Sequence, residues 1–170
     1  IKIEKNTVQE TLIIPLYGRK MCSEKFSALY TDIYAKKLCD RLDYDFSELE
    51  KKNNSFLYEF GALEAAMRQL DIIWEIKEYL KIYPKATIVN LGCGLDETGK
   101  ACDNGSCSIV NVDFPDVINV RNQLISNHER EKNVACDLKD YSWMNEVDGS
   151  NGVVFFAAGV FHYFKREEVK

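Results

Sequence analysis

The sequence predicts an α/β fold in which a parallel sheet carries helices on both faces and follows a helical region. The first part of the chain has the apolar periods of helices, whereas short β-branched runs alternate with helical stretches after Pro84. Strands that are separated by helices form βαβ crossovers, which place the strands parallel to one another. We therefore expect a helical cap or lid at residues 1–83 and a Rossmann-like sheet domain at residues 84–170.

The composition is that of an ordinary globular protein and disfavours several functions. Of the 170 residues, 46% are hydrophobic and 29% are charged, and 22 basic against 27 acidic residues give a net charge of −5. An acidic surface opposes nucleic-acid binding, and no apolar run approaches the roughly 20 residues of a membrane span. The six cysteines form no Cys-x-x-Cys pair. We therefore expect reduced thiols in a cytoplasmic protein, without a metal site.

The helices of the first half are predicted from their apolar periods. Short helices are expected at residues 31–42 and 46–52. A longer helix follows, because apolar residues recur at steps of four and three and so share one face. It should end near Ile82, since a residue that precedes a proline such as Pro84 resists the α conformation. The apolar face consists of Phe56, Phe60, Leu63, Met67, Leu70 and Trp74.

Four strands are expected in the second half, at residues 86–91, 108–112, 132–136 and 152–158, with a helix at 117–126. The last residues, 165–170, read as a further helix that has only begun, so we expect the chain to be part of a larger fold. If the protein ended there, the free edge of the fourth strand would need cover from a partner chain, for which a homo-oligomer is one candidate.

A glycine turn and two acids lie at the predicted carboxyl edge of the sheet, where open α/β sheets bind ligands. The first strand ends in Gly92-Cys93-Gly94. Asp113 ends the second strand 21 residues after Gly92, the spacing at which such sheets place an acid on ribose hydroxyls. The alternative is that Asp113 only caps the turn before Pro115. Asp137 follows the third strand, where it would accept a hydrogen bond from an adenine amine or cap a surface turn.

The residues after the glycines favour S-adenosylmethionine over a dinucleotide. A dinucleotide fingerprint requires a third glycine, and this chain has Glu97 there. Asp96 and Glu97 would repel a diphosphate at the start of a helix, whereas S-adenosylmethionine carries no phosphate. An NAD-dependent oxidoreductase is therefore the less favoured alternative. A P-loop is excluded because no Gly-Lys-Ser/Thr follows the glycines.

These segments resemble the leucine carboxyl methyltransferase family, which includes polyketide O-methyltransferases of the tetracenomycin type. The resemblance implies a Rossmann-like class I methyltransferase fold, apparently truncated after strand four of seven. It also implies methyl transfer from S-adenosylmethionine to a carboxylate or hydroxyl oxygen of a small molecule or a protein C-terminus. The similar segments are residues 10–19, the helix that carries Arg68 and Asp71, and residues 89–96, 112–118, 136–143 and 158–164.

The resemblance implies a role for each of several residues in cofactor binding. Arg68 would bind the carboxylate of the methionyl moiety, assisted by Arg19. The alternative for Arg68 is a solvated arginine that pairs with Glu64 or Asp71 at helical spacing. The expected cofactor contacts are Arg19, Arg68, Gly92, Cys93, Gly94, Asp113, Phe114, Asp137, Leu138 and Ala158.

A hydroxyl acceptor would need a general base, whereas a carboxylate acceptor needs none at neutral pH. The candidates are His162 and Tyr163, just past the fourth strand, and Tyr17 in the expected lid. The alternative for His162 is a packing or outward-facing role. Phe161 and Phe164 are expected to belong to the core.

The sequence departs from the family pattern at three positions. Asp96-Glu97-Thr98 stands where family members often carry Asp-Thr-Arg, and Ile33 replaces the proline expected after Asp32. Ala158 replaces a glutamate that usually contacts the cofactor side of the pocket. The loss of that glutamate keeps a non-catalytic cofactor-binding or interaction module open as an alternative.

Overall fold

The structure is a computed structural model that describes residues 1–3, 8–52 and 55–169. The chain forms two compact units, Ile1–Asp71 and Ile72–Lys170. The predicted functional boundary at residues 83 and 84 stays a prediction. The helices and strands are α1 (Val8–Thr11), α2 (Ile13–Lys25), α3 (Ile33–Arg41), α4 (Ser47–Lys52), α5 (Phe56–Ile82), β1 (Thr87–Leu91), α6 (Thr98–Ala101), β2 (Ser108–Asp113), α7 (Pro115–Leu124), β3 (Glu131–Ala135) and β4 (Val153–Phe156), with 3₁₀ helices at Tyr141–Glu146, Phe161–Tyr163 and Arg166–Glu168.

The first unit is helical, with a core around the buried residues Met21, Cys22, Tyr30 and Ala66. Helix α3 begins two residues later than the predicted segment because Asp32 caps it. The Asp32 carboxylate accepts hydrogen bonds from two amides of the first turn of α3, at 3.0 and 2.9 Å, and so satisfies donors that have no partner within the helix.

The long helix α5 ends at Ile82, as Pro84 predicts, but the apolar stripe predicted from its sequence is only partly packed. Its members Leu63 and Leu70 pack against the core of the first unit. Phe56 is 76% exposed and Trp74 is 59% exposed, whereas Ala66 is buried. Small residues meet where α5 approaches α2: a Cβ placed on Gly18 of α2 would lie 3.6 Å from the Cβ of Ala62. The exposed members of the stripe are Phe56, Phe60, Met67 and Trp74.

The second unit contains a four-stranded sheet in the order β3-β2-β1-β4, with all neighbours parallel, which confirms the predicted fold class. The central strand β1 is buried at every position, as its β-branched apolar sequence predicts. Its register pairs Thr87 with Ser108 of β2 and with Val153 of β4. The carboxyl ends of β1 and β2 therefore meet at one edge.

Helical segments cover both faces of this sheet. On one face, Ile88 and Ile109 belong to a core that includes Ile76 and Leu80 from the end of α5. On the opposite face, alternate strand residues such as Val89 and Val110 pack with Trp143 of the 3₁₀ helix Tyr141–Glu146. No helix in the described ranges is both long and apolar enough to cross a membrane.

Three details of the second unit differ from the sequence predictions. Helix α7 begins at Pro115, two residues before the predicted start, because the fixed φ of proline suits the first helical position. Residues 166–168 form a 3₁₀ turn where a longer helix was expected, and residue 170 lies outside the described residues. Phe161 is 48% exposed and Phe164 is partly buried, so the prediction of a core position is wrong for Phe161, which belongs to a short turn beyond β4.

Candidate functional site

The glycine turn and Asp113 lie together at the carboxyl edge of the sheet. The pairing of Leu91 with Val112 brings the end of β1 beside the end of β2. The amides of Gly92 and Cys93 both donate to the carbonyl of Val112, at 2.8 and 3.1 Å. The amide of Gly94 donates to Oδ2 of Asp113 at 2.8 Å. The turn is therefore fixed to β2 by three hydrogen bonds and holds the carboxylate at its side.

The conformation of the turn requires glycine. Gly92 has a φ of 67° and Gly94 a φ of 49°, in the left-handed region that side chains disfavour. A Cβ on Gly92 would also lie 2.3 Å from Cγ2 of Val160, which follows β4. A side chain at Gly92 would therefore require Val160 to shift, whether or not a ligand is bound.

Asp113 is half-buried and already accepts two backbone hydrogen bonds. Its Oδ2 faces the Gly94 amide, and its Oδ1 accepts from the Phe114 amide at 2.8 Å, so it also caps the turn before Pro115. The pKa of this carboxyl is raised, because the effect of burial exceeds the opposing effects of the two amides and of the nearby charge of Arg121. Each carboxylate oxygen has a second acceptor site, which leaves capacity for two hydroxyl donors.

The segment after β3 offers an apolar surface more clearly than a carboxylate. Asp137 is exposed and its Oδ1 accepts from the amide of Lys139 at 2.9 Å, the turn-capping arrangement that was the alternative for this residue. Leu138 is partly buried, and its carbonyl accepts from Nε1 of Trp143 at 3.2 Å. Leu138 and Trp143 line a cavity of about 290 Å³, together with Leu91, Tyr141, Met144, Phe155, Phe161, Phe164, Glu168 and Val169.

The residues after β4 are open to solvent. Ala158 is exposed and has no polar side-chain atom to offer a ligand. His162 and Tyr163 are exposed neighbours in a 3₁₀ turn, with ring centroids 3.9 Å apart. Phe114, after β2, is 44% exposed. The expected contacts on these segments are thus accessible, and their roles stay predictions.

Three expected site residues belong to the first unit. Tyr17 is 4% exposed and its ring stacks on Phe46 at a centroid distance of 5.4 Å. Nε of Arg19 lies 3.0 Å from a carboxylate oxygen of Asp32. Arg68 is exposed on α5, and across the described residues no ion pair joins it to Glu64 or Asp71. Their roles at the cofactor also stay predictions.

The sequence interpretation missed Arg121, which is 1% exposed and donates to the carbonyls of Gly94, in the glycine turn, and of Asp96, just after it. A signal was present: Arg121 stands four residues after Val117 and three before Leu124, both buried, so it occupies an apolar helix position. All six cysteines are free and buried. In the part of the chain that the structure describes, no three His, Cys, Asp or Glu side chains are grouped as metal ligands.

Comparison with known proteins relates nearly the whole chain to one family. A family model described as leucine carboxyl methyltransferase matches residues 17–170. The tetracenomycin polyketide synthesis O-methyltransferase TcmP of Streptomyces glaucescens is 26% identical over 163 residues, which are 95% of this chain and 58% of the relative. The S-adenosyl-L-methionine-dependent methyltransferase dpfgK of Gibberella zeae is 28% identical over 182 residues, covering 99% of this chain and 60% of the relative. The chain therefore spans about three-fifths of the length of these curated relatives.

Solved structures show weaker likeness. Human N-acetylserotonin methyltransferase in complex with SAM has a TM-score of 0.43 and 17% identity, covering 91% of this chain and 47% of that one. The plantazolicin methyltransferase BpumL in complex with a desmethylPZN analog and SAH has a TM-score of 0.36 and 17% identity, covering 79% of this chain and 45% of that one.

Proposed function

The chain belongs to the leucine carboxyl methyltransferase family, and we propose that it binds S-adenosylmethionine at the carboxyl edge of its sheet and serves the transfer of the methyl group to an acceptor oxygen. One observation carries the proposal. The glycine turn and the Asp113 carboxylate lie side by side at that edge, joined by the 2.8 Å hydrogen bond from the Gly94 amide. This is the arrangement that presents a backbone platform and an acid to one nucleoside.

The donor and acceptor groups at this edge fit a nucleoside without phosphate. The two oxygens of Asp113 have free acceptor sites for the vicinal hydroxyls of a ribose. After the turn, Oδ1 of Asp96 accepts from the amide of Thr98 at 2.9 Å, so a carboxylate already occupies the start of α6. Glu97 precedes the same four-residue helix and pairs with Lys100 at 2.9 Å. A diphosphate would meet negative charge here, whereas a sulfonium cation would not be repelled.

The main contribution of the protein to methyl transfer would be to align the reacting groups. S-adenosylmethionine supplies, when bound, a methyl group on a positively charged sulfur. Correct alignment of reacting groups contributes about 7–11 kcal/mol in ideal cases. The glycine turn and Asp113 would fix the nucleoside part, and the apolar cavity beside Leu138 would take the adenine ring. Arg68 and Arg19 are proposed for the methionyl carboxylate on the family resemblance alone.

The acceptor decides whether a base is needed. A carboxylate is already ionised at neutral pH, whereas a hydroxyl must lose its proton as it attacks. For a hydroxyl acceptor, we propose His162 as the base and Tyr163 as its neighbour at the acceptor, because both are exposed after β4. Tyr17 stays a weaker candidate, since it is buried within the first unit.

The class of methyl acceptor and the cellular location of the protein are proposed from the comparisons, the composition and the state of the cysteines. The name of the family supports a carboxylate, and that of the Streptomyces relative supports an oxygen of a polyketide, without choosing between carboxylate and hydroxyl. A small molecule or a protein C-terminus is therefore proposed, and the net charge of −5 disfavours nucleic acid. Six free, buried thiols support a reducing, cytoplasmic location. The predicted homo-oligomer stays a prediction.

Calorimetric titration with S-adenosylhomocysteine and with NAD tests the cofactor. We expect saturable binding of one S-adenosylhomocysteine per chain and no binding of NAD. Absence of binding by both S-adenosylhomocysteine and S-adenosylmethionine would refute the proposal, and binding of NAD instead would favour an oxidoreductase.

Ala158 supports a second candidate, a module that binds the cofactor without turnover. This exposed methyl group stands where family members often carry a glutamate. Transfer of labelled methyl groups to a broad acceptor panel separates the two candidates. Binding without transfer, together with transfer gained in the Ala158→Glu variant, would support the non-catalytic module.

A further inference from the structure

Arg121 is a buried cation that touches the glycine turn directly. It lies on α7 and is 1% exposed, although arginine is almost never fully buried unless it is paired. Its Nη1 donates to the carbonyl of Gly94 at 3.0 Å and to the carbonyl of Asp96 at 2.7 Å. One guanidinium nitrogen therefore connects the last residue of the glycine turn to Asp96, two residues later.

The rest of the guanidinium is held by a buried polar network. Nε donates to Oδ1 of Asn133 at 3.2 Å, and Nη2 lies 3.6 Å from Oε1 of Glu131, whose side chain is 1% exposed. Asn111, also buried, donates to the same two oxygens, at 2.9 Å to Glu131 and 3.0 Å to Asn133. Nζ of Lys100 lies 3.5 Å from the other Glu131 oxygen. The contacts to Asn133 and Glu131 hold Nε and Nη2, whereas Nη1 is held by the two carbonyls.

We infer that Arg121 is a positioning residue that keeps the glycine turn in its cofactor-binding conformation, an inference that rests on the proposed function. The Gly94 residue is held at both its polar groups: its amide donates to Asp113, and its carbonyl accepts from Arg121. A change in the position of this residue therefore moves the hydrogen bond that orients the ribose-binding carboxylate. Because its side chain is 1% exposed, Arg121 acts through the turn and not by direct contact with a ligand.

The chemistry of arginine explains why this residue type is needed. Two carbonyls, an amide oxygen and a carboxylate surround the side chain, and the planar fork of five donors reaches all of them at once. A lysine keeps the charge opposite Glu131, but its compact ammonium cannot reach the same set of acceptors. The left-handed φ of 49° at Gly94 would then lose one of the contacts that maintain it.

The variants Arg121→Lys and Glu131→Gln separate positioning from stability. Arg121→Lys preserves a buried cation and removes the fork. Glu131→Gln perturbs the buried ion pair and preserves both contacts to the turn carbonyls. The neutral double variant Arg121→Gln/Glu131→Gln removes both charges together and serves if Arg121→Lys does not fold. Urea unfolding reports the stability of each variant.

Amide hydrogen exchange of the native protein gives the deciding readout. We expect exchange at the hydrogen-bonded amides of Gly94, Asp96 and Thr98 to rise about tenfold or more in Arg121→Lys, because a hydrogen bond to a charged group is lost. Glu131→Gln should leave these rates unchanged. Affinity for S-adenosylhomocysteine should fall by a similar factor in Arg121→Lys alone.

Equal exchange rates and equal affinities in the two variants would overturn the positioning role. Changes in both variants that only follow their loss of stability would also overturn it. If the unaltered protein binds no S-adenosylhomocysteine, the proposed function fails, while the exchange rates still decide whether Arg121 holds the turn.

Discussion

Replacing Gly92 by alanine is expected to distort the glycine turn through one identified contact. The added Cβ would lie 2.3 Å from Cγ2 of Val160, far inside normal contact. The φ of 67° also has to be adopted by an alanine, which costs about 1–2 kcal/mol. Overpacking of this kind typically costs about 1–3 kcal/mol. We therefore expect the free energy of unfolding to fall by roughly 2–5 kcal/mol, with loss of cofactor affinity.

Two further variants isolate the contact. Gly105 has a φ of 81°, and an added Cβ there has no neighbouring atom within 4 Å. Gly105→Ala therefore introduces the same kind of backbone strain as Gly92→Ala without a steric overlap such as that with Val160. Val160→Ala removes both Cγ atoms and leaves its Cβ 3.4 Å from the added methyl group, an ordinary contact. The double variant Gly92→Ala/Val160→Ala should therefore recover about 1–3 kcal/mol relative to the sum of the single changes.

Urea unfolding of the four variants measures these differences, and calorimetry with S-adenosylhomocysteine follows binding. The reasoning is refuted if Gly92→Ala is no less stable than Gly105→Ala. It is also refuted if the Gly92 and Val160 changes add within about 0.3–0.5 kcal/mol, as independent sites do.

Three other predictions concern Asp113 and the thiols. Asp113→Asn should weaken S-adenosylhomocysteine binding by about 1.5–3 kcal/mol in calorimetry, because a charged acceptor of hydroxyl donors is lost. The control Asp116→Asn, at an exposed position, should bind as tightly as the unaltered protein. Burial raises the pKa of Asp113 above its ordinary value, so affinity for S-adenosylhomocysteine should fall as the pH decreases through that pKa, and this fall should be absent in Asp113→Asn. The contribution of this carboxyl to folding stability has the opposite sign: it is present at low pH and is lost as the pH rises through the same pKa, which urea unfolding across pH would show. Burial raises the pKa of Cys22 to about 11 and of Cys102 to about 12, so a thiol reagent at about pH 8 should label neither until the protein unfolds, and rapid labelling of the folded protein would contradict this.

The sheet was predictable from the sequence because its signals are local. β-Branched runs and the glycine turn after Leu91 mark strand ends within a residue or two, and separation by helices fixes the parallel direction. The spacing of Asp113 from Gly92 then follows from one strand–helix–strand unit. These elements bring the glycine turn and the acid to one edge.

The packing of α5 and the role of Arg121 were not predicted, for different reasons. Period alone indicates that α5 has an apolar face, but it does not show which apolar residues pack, and Ala66 is buried while Phe56 is exposed. Arg121 was overlooked because a charged residue normally faces solvent. Its burial depends on Glu131, Asn111 and Asn133, which come from two other elements, and no local pattern contains them.

A crystal structure of the complex with S-adenosylhomocysteine tests the central claim most directly. The account predicts both ribose hydroxyls within hydrogen-bond distance of the Asp113 carboxylate, with the nucleoside beside the Gly92–Gly94 turn. A ligand bound elsewhere, or a ribose that makes no contact with Asp113, would contradict it.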